Sequence, residues 1–351
     1  MTATDADVEG GNRRRDRVTV ATVARLAGVS APTVSRVLNG QSGVSLDTRR
    51  RVETVLREHG YRRPESASSV ALLELVFHAL DSLWALEIIR GVEQVAREQG
   101  LAVVLTEMQG QLTPGRGWTE QVLSRRPMGV IAVLSDLTVQ QQSQLATREI
   151  PLVVIDPTGE PLHDTPSVGA TNYSGAMVAT RHLIDLGHRR IAMLAGNTRW
   201  PFCRARLDGY RAAMESAGLT VEPELVRVGP LYVDGGMADA AELLRLPRPP
   251  TAVVTTNDLQ AHGVYQAARH ARVRIPEDLS VVGFDDLPFT QWASPPMTTV
   301  VQPMTDMGAT AARMVMALAA GERLGQYRVE LSTRLVVRES TCGPATSSSQ
   351  T

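Results

Sequence analysis

The segment Val20–Gly40, VATVARLAGVSAPTVSRVLNG, carries two short apolar rows at helical spacing, separated by Gly28-Val29-Ser30. In the first row Val20, Val23, Ala24 and Ala27 share one helix face, with Thr19 as N-cap. Gly28 stops that helix, Val29 is an apolar residue for the inside of the turn, and Ser30 caps the second row. Pro32 falls in the first turn, where its missing N–H costs nothing. Val34, Val37 and Leu38 face the core, Ala31, Thr33, Ser35 and Arg36 face outward, and Asn39-Gly40 ends the helix. Two short helices about a Gly-containing turn predict a helix-turn-helix whose second helix fits the DNA major groove. Small outward residues let that helix approach base edges, and Arg36 has the reach for a guanine edge or a phosphate. Ala31-Pro32 offers no hydrogen bond, so readout there would be apolar, as against a thymine methyl. A third helix, LDTRRRVETVLREHGY after the cap Ser45, closes the core with Val52, Val55 and Leu56.

Composition narrows the function classes. Every one of the 36 basic residues is arginine, so lysine-dependent P-loop, kinase and pyridoxal-phosphate chemistry is excluded. HExxH, GxSxG and GxGxxG are also missing. Between Asn12 and Arg63 twelve Arg stand against four acids, whereas the whole chain has a net charge of −1. A basic module on an acidic body is the charge distribution that DNA binding at one end requires. Cys203 and Cys342 form no CxxC pair, and the seven histidines show no metal spacing, so neither a metal nor a cofactor is expected. No apolar run approaches membrane-spanning length and no signal peptide opens the chain, so a cytoplasmic, nucleoid-associated protein is expected.

From about Leu72 the texture changes to short β-branched runs alternating with amphipathic helices, the pattern of parallel α/β sheets. RRPMGVIAVLSD (Arg125–Asp136) and RPPTAVVTTND (Arg248–Asp258) echo one another, which points to two similar halves facing each other. Ligands of open parallel sheets bind at the carboxyl ends of the strands. Those ends carry Asp81 to Trp84, Ser135-Asp136, Asp156, Asn172, Asn197, Asn257-Asp258 and Asp285-Asp286, with Arg206 on a following helix. Carboxylates, amides and a guanidinium match adjacent sugar hydroxyls, and Trp84, Trp200 or Trp292 could stack on a pyranose face. Asp285-Asp286 as a glycosidase pair is disfavoured, because adjacent strand-end residues point in opposite directions. Trp292 could equally cap the core, Arg206 could be an inter-helix ion pair, and His182 and His188 read as helix-end structure.

With AGVS, TVSRVLN and GYR in order and spacing, the first segment closely resembles the headpiece of the LacI/GalR family of sugar-responsive bacterial transcriptional repressors. LGHRRIAMLAG, NDLQAHGVYQAARH and IPEDLSVVGFDD extend the resemblance to about residue 340. The resemblance implies Ala31 and Pro32 as specificity residues, Ser35 and Arg36 as adjacent base and phosphate contacts, and Thr19, Ser30, Thr33 and Asn39 as phosphate-positioning groups. It also implies effector contacts at Arg206, Asn257 and Asp285, with Trp84 on the first cleft loop; Asn172 joins them as a strand-end amide. The chain departs from the family after GYR, where RPESASSVALLELVF is short and has no Leu at the hinge-helix position.

The expected organisation is a disordered tail (1–17), an all-α headpiece (18–63), a shortened hinge (64–71), a periplasmic-binding-protein-like α/β body of two parallel-sheet lobes (72–340) and a disordered tail (341–351). The expected function is a non-enzymatic repressor that binds a palindromic operator in double-stranded DNA as a homodimer. A small carbohydrate effector would sit between the lobes, and helices near Glu87–Glu98 would form the dimer contact. The competing readings are a periplasmic sugar-binding protein, and a cytoplasmic sugar-binding or sugar-processing protein whose headpiece is non-functional.

Overall fold

The computed structural model describes residues 18–38, 43–59, 61, 72–80, 83–108, 110–135, 137–157 and 165–345. Asn39, Asp81, Asp136, the expected tail over 1–17 and the expected hinge over 64–71 lie outside the described residues.

The headpiece is α1 (Val20–Ala27), α2 (Ala31–Leu38) and α3 (Leu46–Glu58) around one small core. Thr19 accepts from the Thr22 N–H, Ser30 from Thr33 and Ser45 from Thr48, so each helix starts on a hydroxyl cap. Gly28 closes α1 at φ +65°, a left-handed conformation that glycine adopts without steric cost. Val23, Val34 and Val52, one from each helix, are completely buried at the centre.

Two six-stranded sheets form the body. The first lobe runs β1 (Leu72–Phe77), α4 (Leu83–Glu98), β2 (Ala102–Glu107), α5 (Arg116–Arg125), β3 (Gly129–Val133), α6 (Val139–Thr147), β4 (Leu152–Ile155) and β5 (Ser167–Ala170). The chain then crosses to the second lobe: α7 (Asn172–Asp185), β6 (Ile191–Ala195), α8 (Pro201–Ser216), β7 (Val226–Val228), α9 (Val233–Leu244), β8 (Ala252–Thr255), α10 (Asp258–Ala271), β9 (Ser280–Asp285) and β10 (Thr298–Val301). It returns as α11 (Met304–Ala319) and β11 (Arg328–Leu331), then crosses again to β12 (Arg334–Val336).

The strand orders are β2-β1-β3-β4-β5-β11 and β7-β6-β8-β9-β10-β12, the same order twice. β3 and β8, the strands of the repeated sequence motif, hold the same third position. All ladders but one are parallel; β12 runs antiparallel to β10. Central strands such as β1, β3 and β9 are buried along their whole length, as sheets covered on both faces require.

The expected disordered tail over 341–351 is described only as far as residue 345, and residues 346–351 lie outside the described residues. Thr341 bonds His182 Nε2 and the Cys342 carbonyl bonds His188 Nε2, so the first residues of this tail are fastened to the second lobe.

α4 packs tightly on α11 because glycines face the partner backbone. A Cβ on Gly91 would lie 1.9 Å from the Thr305 carbonyl oxygen. Gly91→Ala is therefore expected to destabilise the first lobe by about 1–3 kcal/mol through forced separation of the helices. Gly117→Ala in α5, where a Cβ meets nothing within 4 Å, should be neutral or stabilising by up to about 1 kcal/mol. Thermal melting of the two variants beside the parent checks both.

Candidate functional site

The headpiece presents a small surface. Ala31, Pro32 and Arg36 are exposed on α2 with Ser30 exposed just before it, Thr33 and Ser35 are half-buried, and Thr19 is exposed just before α1. Thr33 serves the turn itself, its hydroxyl lying 2.8 Å from the Ser30 hydroxyl. The exposed groups thus form one face of α2 with no large side chain before Arg36. Such a face can approach the floor of a groove closely.

The second site lies between the lobes at the strand ends. A cavity of about 220 Å³ there is lined by Trp84, Leu134 and Asp156 from the first lobe and by Trp200, Arg206 and Asp285 among others from the second. At its base is Arg206, only 3% exposed. Its Nε donates to Asn172 Oδ1 at 2.8 Å, Nη1 to the Thr256 carbonyl at 2.5 Å and to Asp285 Oδ1 at 3.3 Å, and Nη2 to Gln302 Oε1. The guanidinium carbon lies 3.6 Å from the centre of the Phe284 ring. A guanidinium has five N–H donors, so this set holds it almost completely and fixes its plane.

Asn172 and Gln302 are crossover residues, the first after β5 and the second after β10. Gln302 Nε2 donates onward to Asp156 Oδ2 at 3.2 Å. Arg206 of the second lobe is thereby linked through Gln302 to a strand end of the first. Thr171 and Thr333, on the first and third crossovers, are joined by a hydroxyl pair at 3.0 Å.

Asp156 and Asp285 share this one cation. Burial pushes Asp285 up to about 7 and Asp156 up to about 6, with Arg206 opposing both. Asp258, buried with Thr299 and the Leu287 N–H as donors, is pushed well above the carboxylate range by burial and by Asp285. Backbone strain gathers at the same place: Leu134, Asp156, Asp285 and Asp286 have φ of +48°, +45°, +118° and +59°. Left-handed non-glycine residues persist where the surroundings over-determine them, as at ligand clamps.

Of the sequence-predicted effector residues, Trp84, Arg206, Asn257 and Asp285 line the cavity. Asn257 caps α10 through the Gln260 N–H and donates to the Leu231 carbonyl. Asn172 orients Arg206 from outside the cavity wall. Asp285 and Asp286 diverge, Asp286 pairing with Arg338 at 2.7 Å. Trp200 closes the cleft edge-on against His78, ring centres 6.4 Å apart. Trp292 neither caps the core nor reaches the cavity; it is 79% exposed. Gln302, Phe202 and Leu231 escaped the sequence reading. Only their position just after a strand or at the start of a helix could have marked them.

Two family descriptions match the chain: "Bacterial regulatory proteins, lacI family" over residues 19–64, and "Periplasmic binding protein-like domain" over residues 180–341. The HTH-type transcriptional repressor CytR of Escherichia coli K12 is 31% identical over 94% of this chain and 98% of its own length. The ribose operon repressor of the same strain is 33% identical over 92% and 99%. Among solved structures, a complex of the transcriptional regulator CelR with cellobiose superimposes with a TM-score of 0.69 at 33% identity, covering 92% of this chain and 99% of that one. The lac repressor dimer bound to operator and the anti-inducer ONPF gives 0.68 at 28% identity, covering 93% and 99%.

A carboxyl whose folded-state pKa is raised contributes stability below its unfolded value and loses it as pH rises through the folded value. For Asp156 that window runs from the ordinary 3.8 to about 6. Asp156→Asn removes the loss, so the melting temperature of the variant relative to the parent should rise between about pH 4 and pH 7. A pH series of paired melts reads this directly.

Proposed function

The chain belongs to the lacI family of bacterial regulatory proteins, and from that premise we propose that it is a repressor whose headpieces bind a palindromic operator as a homodimer and whose cleft takes a carbohydrate effector. One observation carries the reading: a single chain joins a capped helix-turn-helix with a small exposed second helix to two lobes closed around a buried arginine. A catalytic protein would have no use for the first, and a carrier of free sugar would have none either.

A single headpiece of this size makes few contacts, so two-fold pairing on a palindrome supplies the affinity. The flank of the first lobe supports pairing there, because α4 exposes Leu83 and Leu86 and the edge strand β2 exposes Leu105, at 43%, 56% and 45%. The other face of α4 is occupied by α11, so the expected contact near Glu87–Glu98 narrows to its outward side. Ala31, Pro32 and Arg36 read bases while Thr19 and Ser30 position phosphates; Asn39 keeps its role as an expectation. In the cleft, Arg206 and Asp285 meet sugar hydroxyls and Trp84 supplies an apolar face. The CelR complex contains cellobiose, and a glucoside of that kind suits these groups. Among the described residues no helix is long and apolar enough to cross a membrane, and a DNA-binding role places the protein with the chromosome in the cytoplasm.

The test is a gel shift of the full chain on its own upstream DNA at two salt concentrations, repeated with glucose, ribose, cellobiose and maltose. Palindrome-specific, salt-sensitive binding relieved by one sugar is expected. Turnover of a sugar, or binding that ignores DNA sequence, would contradict the reading. Arg36→Ala should weaken operator binding by about 1–3 kcal/mol without altering the melting temperature of the body.

A further inference from the structure

The cavity beside Arg206 is not the whole of the space between the lobes. A second cavity, of about 510 Å³, adjoins it, and Asp156 and Phe202 line both. Its floor is the edge of the first sheet, where the β5–β11 register sets Ser167 opposite Arg328 and Gly169 opposite Glu330. Its far wall is the start of α8, with Tyr173 of α7, 43% exposed, at the rim. The first cavity alone, at about 220 Å³, falls below the ~300–1,000 Å³ usual for ligand pockets, whereas the two together fall within it.

The chemistry of the second cavity suits a polyol with a ring face. Hydroxyl, guanidinium and carboxylate groups from Ser167, Arg328 and Glu330 stand along one side, and the aromatic rings of Phe202 and Tyr173 stand along the other. At the junction is the Asp156 carboxylate. Its Oδ2 accepts from Gln302, and its Oδ1 looks toward Gly169, from which a Cβ would be 3.6 Å away. A carboxylate there can accept hydroxyls from two neighbouring rings at once.

We propose that the effector is an oligosaccharide of at least two units, one ring beside Arg206 and the next between Gly169, Arg328 and Tyr173, with Asp156 between them. The inference rests on reading the cleft as a carbohydrate site. A single pentose or hexose fills only the first cavity.

Isothermal titration of the full chain with glucose, ribose, cellobiose and maltose tests it, on the parent and on Gly169→Val. A Cβ at this position lies 3.6 Å from Asp156 Oδ1, an ordinary contact, and Gly169 lines the second cavity and not the first. One of the two disaccharides should bind the parent at least about tenfold more tightly than either monosaccharide. Gly169→Val should weaken that disaccharide about tenfold and leave monosaccharide binding within about twofold. Tyr173→Ala, at an exposed rim position, should act in the same selective direction and serves if Gly169→Val melts early. A monosaccharide that binds as tightly as the disaccharides, or disaccharide binding indifferent to both variants, overturns the inference and leaves the carbohydrate reading standing. Binding of none of the four sugars overturns both.

Discussion

A guanidinium buried where the chain passes between two lobes constrains everything around it. Arg206 is nearly inaccessible and permanently charged, so its desolvation must be offset by a complete set of acceptors. The acceptors come from separate elements: a crossover amide at Asn172, the Thr256 carbonyl after β8, the strand-end carboxylate of Asp285, and a second crossover amide at Gln302. Removing one partner of such a buried charge typically costs about 3–5 kcal/mol, so no member can move alone. The hinge of the body and the floor of the cleft are therefore one hydrogen-bonded object.

That arrangement makes the cleft responsive. Gln302 carries the link across to Asp156, so the relation between the lobes depends on a side-chain amide and a carboxylate that both face the cavity. Asp156 and Asp285 compete for one cation, and the backbone at Leu134, Asp156 and Asp285 is held in left-handed conformations. A ligand that donates hydroxyls to these carboxylates relieves part of that conflict in whichever lobe arrangement it fits. The differential between two arrangements needs to be only about 1–3 kcal/mol to change an operator affinity severalfold to a hundredfold.

Much of this was legible in the sequence because the signals are local. Thr19, Ser30 and Ser45 precede apolar rows at helical spacing, and hydroxyls before such rows become caps. The echo around β3 and β8 is a repeat of strand and flanks, and it landed on the same third position of two sheets that share one strand order. The strand-end rule located Asp156, Asn257 and Asp285 at the cavity without distinguishing their tasks. Asn257 holds α10 and the Leu231 carbonyl, and Asn172 holds Arg206; a sequence names an amide but not the partner it will find. Gln302 stood in VVQPM with nothing to mark it, because its importance comes from lying between residues 146 and 96 positions away. Trp292 was ambiguous for the same reason: whether a tryptophan after a short turn packs inward is decided by tertiary structure.

The most direct test of the central claim is operator titration of Arg206→Gln, with and without the sugar that releases the parent protein. If the buried guanidinium ties ligand occupancy to lobe arrangement, the variant binds operator through an intact headpiece but no longer answers to the sugar at any concentration. An undiminished response to sugar in that variant would contradict the account and place the coupling elsewhere in the body.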